Sequence, residues 1–184
     1  MEYLDIVDEN GVPTGETVSR KQAHEEGIRH RTAHVWVIRR NGDRTEILMQ
    51  KRSRTKDSFP GMFDTSSAGH IPAGAEPEDS ALRELREELG IAAGKEQLKY
   101  AGRFRTHYQK VFYGSPFRDN EVTDVYVYEE PVDISRLTLQ ESEVEEVRWF
   151  DYEAVCEEIR TSRERFCVPS QGLEVLGKYL EQQK

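Results

Sequence analysis

The stretch from Glu76 to Gly90 constrains this chain more than any other, because its residues specify a helix with two faces of opposite character. Pro77 suits the first helical position, where its missing amide hydrogen leaves no bond unmade, and Glu76, Glu78 and Asp79 put negative charge at the positive end of the helix dipole. Ala81, Leu82, Leu85 and Leu89 recur at helical spacing as an apolar stripe, and Gly90 can take the left-handed turn that ends such a helix. Glu84, Glu87 and Glu88 stand at i, i+3 and i+4, so about 3.6 residues per turn brings their carboxylates to one face. Like charges so placed repel. Ion pairs with Arg83 and Arg86 on a solvated face would offset the repulsion, and so would a bound divalent cation.

Around this helix the chain reads as strands and turns. Residues 3–7 alternate as a strand and run into Asn10-Gly11, a hairpin signal. Ser19 caps a short helix over residues 20–26, closed by Gly27. Residues 34–39 read as a strand that Asn41-Gly42 turns into a partner at 46–52. Phe59-Pro60-Gly61 interrupts the pattern, residues 62–68 are extended, and residues 67–75 read as a loop with two glycines. Strands are expected at 98–106, 122–128 and 147–151, and amphipathic helices at 152–161 and 171–182. Tyr108, Phe112 and Tyr113, beside Gly114 and Pro116, read as an irregular loop able to set specificity. The other aromatic residues, among them Tyr3, Trp36, Phe63, Phe104, Tyr126 and Trp149, sit at strand positions that favour core packing. One helix among strands argues for an α+β chain in α/β/α layers, a mixed sheet sandwiched between helices. Its 184 residues suit a single domain over 1–184, with an N-terminal hairpin and helix and two C-terminal helices.

The net charge of −9 argues against a binder of duplex nucleic acid, whose affinity rests on basic contacts to phosphate. No apolar run approaches the roughly 20 residues that span a bilayer, and the acidic start, Met1-Glu2-Tyr3-Leu4-Asp5, is no signal peptide. Two cysteines, Cys156 and Cys167, without metal-site spacing fit free thiols in a reducing cytoplasm. The acidic run from Glu141 to Glu146 reads as a solvated face, and His107 as a solvated loop residue. Oligomeric state, monomer or homodimer, is left open.

The central helix and the glycines before it carry a resemblance. Gly69 stands fourteen residues before Arg83, which opens Arg-Glu-Leu-Arg-Glu-Glu-Leu-Gly-Ile, ending at Ile91. This pattern resembles the Nudix box, and the chain is identified as a member of that superfamily. The resemblance implies hydrolysis of a diphosphate linkage, in a nucleoside di- or triphosphate or a derivative, with Mg²⁺ or Mn²⁺. It implies that Glu84, Glu87 and Glu88 hold the metal with help from the Gly69 carbonyl, that Arg83 orients the carboxylates, and that a further acid beyond the box joins the catalytic set with Glu87 and Glu88. Glu121 is the candidate. One position departs from the box: the glutamate eight residues before the arginine is Ala75 here, so either Glu76 next door substitutes with a local shift or metal affinity is lower.

A longer stretch is similar to isopentenyl diphosphate isomerase, a related enzyme. It includes Asn-Gly-Val-Pro-Thr-Gly at residues 10–15, His24, His30, Phe59-Pro60-Gly61, Gly69-His70 and Asp119-Asn120-Glu121-Val122. This resemblance implies a second metal site from His24, His30, His70, Asp119 and Glu121, a donor set that suits Zn²⁺ or Mn²⁺. It also implies a diphosphate grip from Arg20, Arg52 and Lys56. The isomerase carries a catalytic cysteine immediately before its Gly-His pair, where this chain has Ala68, and a methyl group cannot move a proton. That difference and the intact helix acids favour a hydrolase on a small phosphorylated substrate; isomerisation of an isoprenyl diphosphate is the alternative. Ala75 also raises a third reading, a sensor that binds a nucleotide without cleaving it.

Overall fold

The computed structural model describes residues 1–183. It opens with an antiparallel hairpin, β1 (Tyr3–Val7) and β2 (Pro13–Ser19). The Asp8 carboxylate accepts the amides of Asn10 and Val12 at 2.8 and 2.9 Å, and Gly11 takes φ +77°, so the Asn-Gly signal is a true turn. Ser19 Oγ accepts the Gln22 amide to start α1 (Arg20–Glu26), and Gly27 ends it in the left-handed region. Leu4, Val18 and Ala23 form a small apolar cluster beneath this unit.

The main sheet contains β3 (His30–Asn41), β4 (Arg44–Arg52), β5 (Phe63–Asp64), β6 (Ser67–His70), β7 (Leu98–Phe112), β8 (Ser115–Tyr128) and β9 (Val144–Asp151). Its order is β5-β4-β3-β8-β7, with β6 added to β3 and β9 to β4; only β3 and β8 run parallel among these pairs. β3 is buried on both faces, and its period-2 alternation splits its side chains between two cores. Trp36 and Ile38 join Val155, Ile159, Leu173 and Leu176 of α3 (Tyr152–Thr161) and α4 (Ser170–Gln182). Val35 and Val37 join Ala81, Leu85 and Leu89 of α2 (Pro77–Leu89). The α/β/α layering follows from those two sets. The start of β3 pairs with β6 and its end with β4. Ser66 spans the fork, accepting the Val37 amide at 2.8 Å and donating to the Leu48 carbonyl.

Several expectations need correction. β3 begins at His30, four residues earlier than its hydrophobic pattern suggested, because its polar start faces a site rather than a core. Residues 67–70 are a strand, not part of a loop. The expected irregular loop at Tyr108, Phe112 and Tyr113 is a regular arm in which β7 and β8 stay paired from Leu98↔Tyr128 to Phe112↔Ser115. Its two-residue turn, Tyr113-Gly114, has φ +50° and +78°, the positive values a type I′ turn demands. Tyr3, 52% exposed, lies outside the core, whereas Trp36, Phe63, Phe104 and Tyr126 are buried in it and Trp149 packs at its edge. No helix of the described residues is long and apolar enough to cross a membrane, and both cysteines are free.

Candidate functional site

The acidic face of α2, the β3–β6 fork, β8 and α1 converge on a cavity of roughly 710 Å³, a size ordinary for a small-molecule site. The three helix carboxylates share one face but differ in environment. Glu88 is only 4% exposed, and its Oε2 accepts from Gln50 Nε2 at 2.9 Å and from the Ala68 amide at 3.1 Å. Burial, and then the charge of Glu84, push its carboxyl up to about 8. Burial also lifts Glu84, to about 7, against the opposing pull of Arg83 and with a further push from Glu87. Arg83 pairs with Glu84 at 2.6 Å and with half-exposed Glu87 at 3.3 Å, and it donates to the His70 carbonyl at 3.2 Å. Neutralisation by arginine is therefore half realised. Among the described residues no cation pairs with Glu88.

Gly69 explains itself sterically. A Cβ built there would lie 2.2 Å from Glu84 Cδ, so glycine lets β6 pass that carboxylate without displacing it. The obstacle is the flexible end of a side chain, which can swing away. Gly69→Ala is thus expected to keep the melting temperature nearly unchanged while displacing the Glu84 carboxylate and weakening divalent-ion affinity by about tenfold or more. Calorimetric titration with Mn²⁺ checks this, and wild-type affinity would remove Gly69 from the site. The expected substitute for the missing box glutamate fails: Glu76 is exposed and lies outside the cavity lining, while Ala75 packs against the apolar cluster beneath α2.

Across the cavity, α1, β3, β6 and β8 bring together His24, His30, His70 and Glu121, with one ligand atom from each lying within 4.8 Å of all the others. His24 Nε2 and His70 Nε2 are 3.0 Å apart, and Glu121 Oε1 lies 3.5 Å from His30 Nε2 and 3.8 Å from His70 Nε2. His30 Nδ1 meets the Ile28 carbonyl at 2.8 Å, where it donates, and Nε2 faces the cluster. That Nε2 and His24 Nδ1 are buried without a hydrogen-bond partner. Burial, then the neighbouring His30, lowers His24 to about 4; burial drives His70 well below the ordinary histidine range. For Glu121, burial pushes upward but is outweighed by His30 and then His70, which hold it well below the ordinary carboxylate range. Asp119 moves the other way, raised by burial and by the charge of Glu121, so the pair carries one negative charge. Asp119 is outside the four-residue group and stands behind His24, 3.5 Å from Nδ1.

Arg20, Arg52 and Lys56 all line the cavity. Arg52 donates to the Ser58 carbonyl at 3.0 Å and meets Asp64 at 3.4 Å; Lys56 pairs with Glu143; Arg20 lies 3.5 Å from Glu2 and 3.7 Å from Asp57. All three cations are thus already engaged by protein carboxylates. Glu143, read as part of a solvated acidic face, belongs to this wall, and exposed His107 lines it too. Gln50 was missed although a polar residue after Ile47-Leu48-Met49 was a usable signal. Arg163 and Phe166 reach the cavity from the chain end, with no local pattern to announce them. Phe59, also on the wall, has φ +47°, a conformation that strains a bulky side chain by roughly 1 to 3 kcal/mol.

A family model described as NUDIX domain matches residues 28–167. An uncharacterized Nudix hydrolase of Clostridium acetobutylicum is 43% identical over 143 residues, 78% of this chain and 66% of that protein. An isopentenyl-diphosphate Delta-isomerase of Cereibacter sphaeroides is 32% identical over 149 residues, 81% of this chain and 78% of that one. A crystal structure from Deinococcus radiodurans superposes with a TM-score of 0.71 at 17% identity, covering 97% of this chain and 99% of that one, a likeness of fold alone. The chain spans just under two thirds of the Clostridium relative, at 66%, and 19% of an Arabidopsis thaliana Nudix hydrolase to which it is 38% identical.

Proposed function

This chain belongs to the NUDIX domain family, and on that premise we propose that it is a divalent-metal-dependent hydrolase of a diphosphate linkage, acting on a nucleoside di- or triphosphate or a derivative of one. The observation that carries the reading is Glu88, a buried carboxylate with no cation paired to it among the described residues, facing a cavity that Arg20, Arg52 and Lys56 also line. Burial, and then the charge of Glu84, raise its proton affinity, and a cation beside it would offset both. Glu84, Glu87 and Glu88, with the Gly69 carbonyl, form an oxygen donor set that suits Mg²⁺ or Mn²⁺. When bound, such an ion neutralises phosphate oxygens and lowers the pKa of water.

The chain's own residues do the rest. Arg83 holds Glu84 and Glu87 in place; Arg20, Arg52 and Lys56 exchange their carboxylate partners for the diphosphate. His24, His30, His70 and Glu121 fit a second cation such as Zn²⁺ or Mn²⁺, because the facing Nε2 atoms of His24 and His70 need a proton or a cation between them. Glu121 either completes that ligand set or accepts the proton of the attacking water. The two roles exclude each other. Metal analysis of purified protein is expected to find a histidine-bound ion in the wild type and to lose it in His30→Gln; equal metal content in both would overturn the second site.

The histidine cluster and the isomerase relative together favour one rival, isomerisation of an isoprenyl diphosphate. Ala68 opposes it by placing a methyl group beside Gly69. A screen of nucleoside and isoprenyl diphosphates with Mg²⁺ and Mn²⁺ decides: divalent-dependent release of phosphate or nucleoside monophosphate is expected. Movement of the double bond in isopentenyl diphosphate without phosphate release would establish the rival, and inertness toward the whole panel would sink the enzyme reading.

A further inference from the structure

We propose that His34 is a further substrate-contacting residue, donating a hydrogen bond from Nε2 to a phosphoryl oxygen of a diphosphate that lies between Arg52 and the carboxylates of α2; this role rests on the hydrolase reading and adds a residue to its machinery. His30, Thr32, His34 and Trp36 alternate along one face of β3. His30 faces Glu121, Thr32 donates to Glu121 Oε2 at 3.2 Å, and Trp36 joins the core beneath α3 and α4. His34 occupies the step between, where the polar site gives way to that core. Its ring lines the cavity and meets Phe104 edge-to-face at 5.7 Å. Across the strands it pairs with Ala68, whose amide donates to Glu88. The charges that act on it are Asp64, Glu121 and Arg52, and Arg52 meets Asp64 at 3.4 Å. His34 therefore stands where the two carboxylate-bearing centres adjoin the basic segment.

Two features argue that this imidazole serves a ligand rather than the fold. Its bond to the protein is slight: Nδ1 lies 3.5 Å from Thr65 Oγ1, at the outer limit of a hydrogen bond, although the residue is only 8% exposed. A buried polar ring kept for stability is ordinarily held better than this. Its Nε2 has no hydrogen-bond partner among the described residues, yet unlike His30 Nε2 it is not sealed from solvent, so it opens on the cavity that the ring lines. With the Thr65 hydroxyl donating to Nδ1, the ring proton sits on Nε2. Burial lowers the proton affinity of the ring, against the pull of Asp64 and Glu121 and with a further push from Arg52, so the donor is neutral near pH 7. A fixed donor of this kind holds a phosphoryl oxygen and stabilises charge that develops on it.

The test is binding, which needs no turnover and so stands apart from the hydrolysis screen. Methylenediphosphonate, whose bridge water cannot cleave, is titrated calorimetrically with Mg²⁺ into the wild type and two variants. An asparagine amide can take the place of Nδ1 and keep the contact with Thr65, whereas a glutamine amide reaches the place of Nε2. His34→Asn is expected to bind the diphosphonate roughly tenfold to a hundredfold more weakly, the worth of one hydrogen bond to a charged group, and His34→Gln to stay within about threefold of the wild type. Mn²⁺ affinity should be the same in all three proteins, since His34 is in neither cation centre. In wild-type protein carrying ¹⁵N-histidine, the same ligand should shift the Nε2 resonance of His34, a readout that serves if a variant does not fold. Equal affinity in His34→Asn, a loss shared equally by both variants, an Nε2 resonance that the ligand leaves in place, or a wild type that does not bind the diphosphonate overturns the proposal, whether or not hydrolysis is observed.

Discussion

Glu88→Gln is expected to lower divalent-dependent turnover by roughly a thousandfold while the protein stays folded, in keeping with the loss seen when one charge-stabilising group is taken from a preorganised site. The amide has the shape of the acid and can still accept from Gln50 or from the Ala68 amide, so the packing beneath α2 survives. What disappears is the buried negative charge. Glu87→Gln should matter less, since Glu87 is 50% exposed in its side chain and already paired with Arg83. Initial rates across a Mg²⁺ titration, with circular dichroism as the fold control, provide the measurement. Turnover within a few fold of wild type for Glu88→Gln would refute the metal role of α2.

The second large effect concerns metal removal. Glu88 holds its proton up to about 8 and Glu84 up to about 7, both above the ordinary carboxylate value of 4.5, because burial disfavours their charge. The unfolded chain releases those protons near 4.5, so the folded state binds more protons in between and stability falls as pH rises toward 8. His24 and His70 act oppositely, being neutral when folded; their contribution rises with pH and is complete by about 6.5, the ordinary histidine value. From about pH 6.5 to 8 the carboxylates, including raised Asp119, therefore set the slope alone. In EDTA the melting temperature should drop across this window, reflecting up to a few kcal/mol from Glu88. Millimolar Mg²⁺ should reduce the slope by binding only the folded, ionised form, and Glu88→Gln should remove the share due to Glu88, leaving that of Asp119. A melting temperature independent of pH in EDTA would show that Glu88 is not held protonated.

Much of this architecture could be read from the chain because local signals and long-range packing agree. α2 begins with Pro77 and stops at Gly90, Ser19 caps α1, and the Asn-Gly turns fold β1 onto β2 and β3 onto β4. The spacing of Gly69 and Arg83 pointed to the acidic face, and the three histidines were named from resemblance before any distance brought them together. The failures share a cause. Residues 107–117 of the β7–β8 arm belong to none of the buried core clusters, so no core face imposes a hydrophobic alternation on them even though the pairing persists. Glu143 and Glu76 are both acidic and near the surface in sequence terms; which of them reaches the cavity depends on how β9 and the start of α2 are aimed, a fact of tertiary geometry alone.

Residue 28, where the family match begins, divides this site unevenly. The acidic helix, Arg52 and Lys56 belong to the shared module, whereas Arg20 and His24 come from the hairpin and helix in front of it. The two proposed cation centres therefore draw on different parts of the chain: Glu84, Glu87 and Glu88 all fall within residues 28–167, whereas the histidine group adds His24 of α1 to His30, His70 and Glu121.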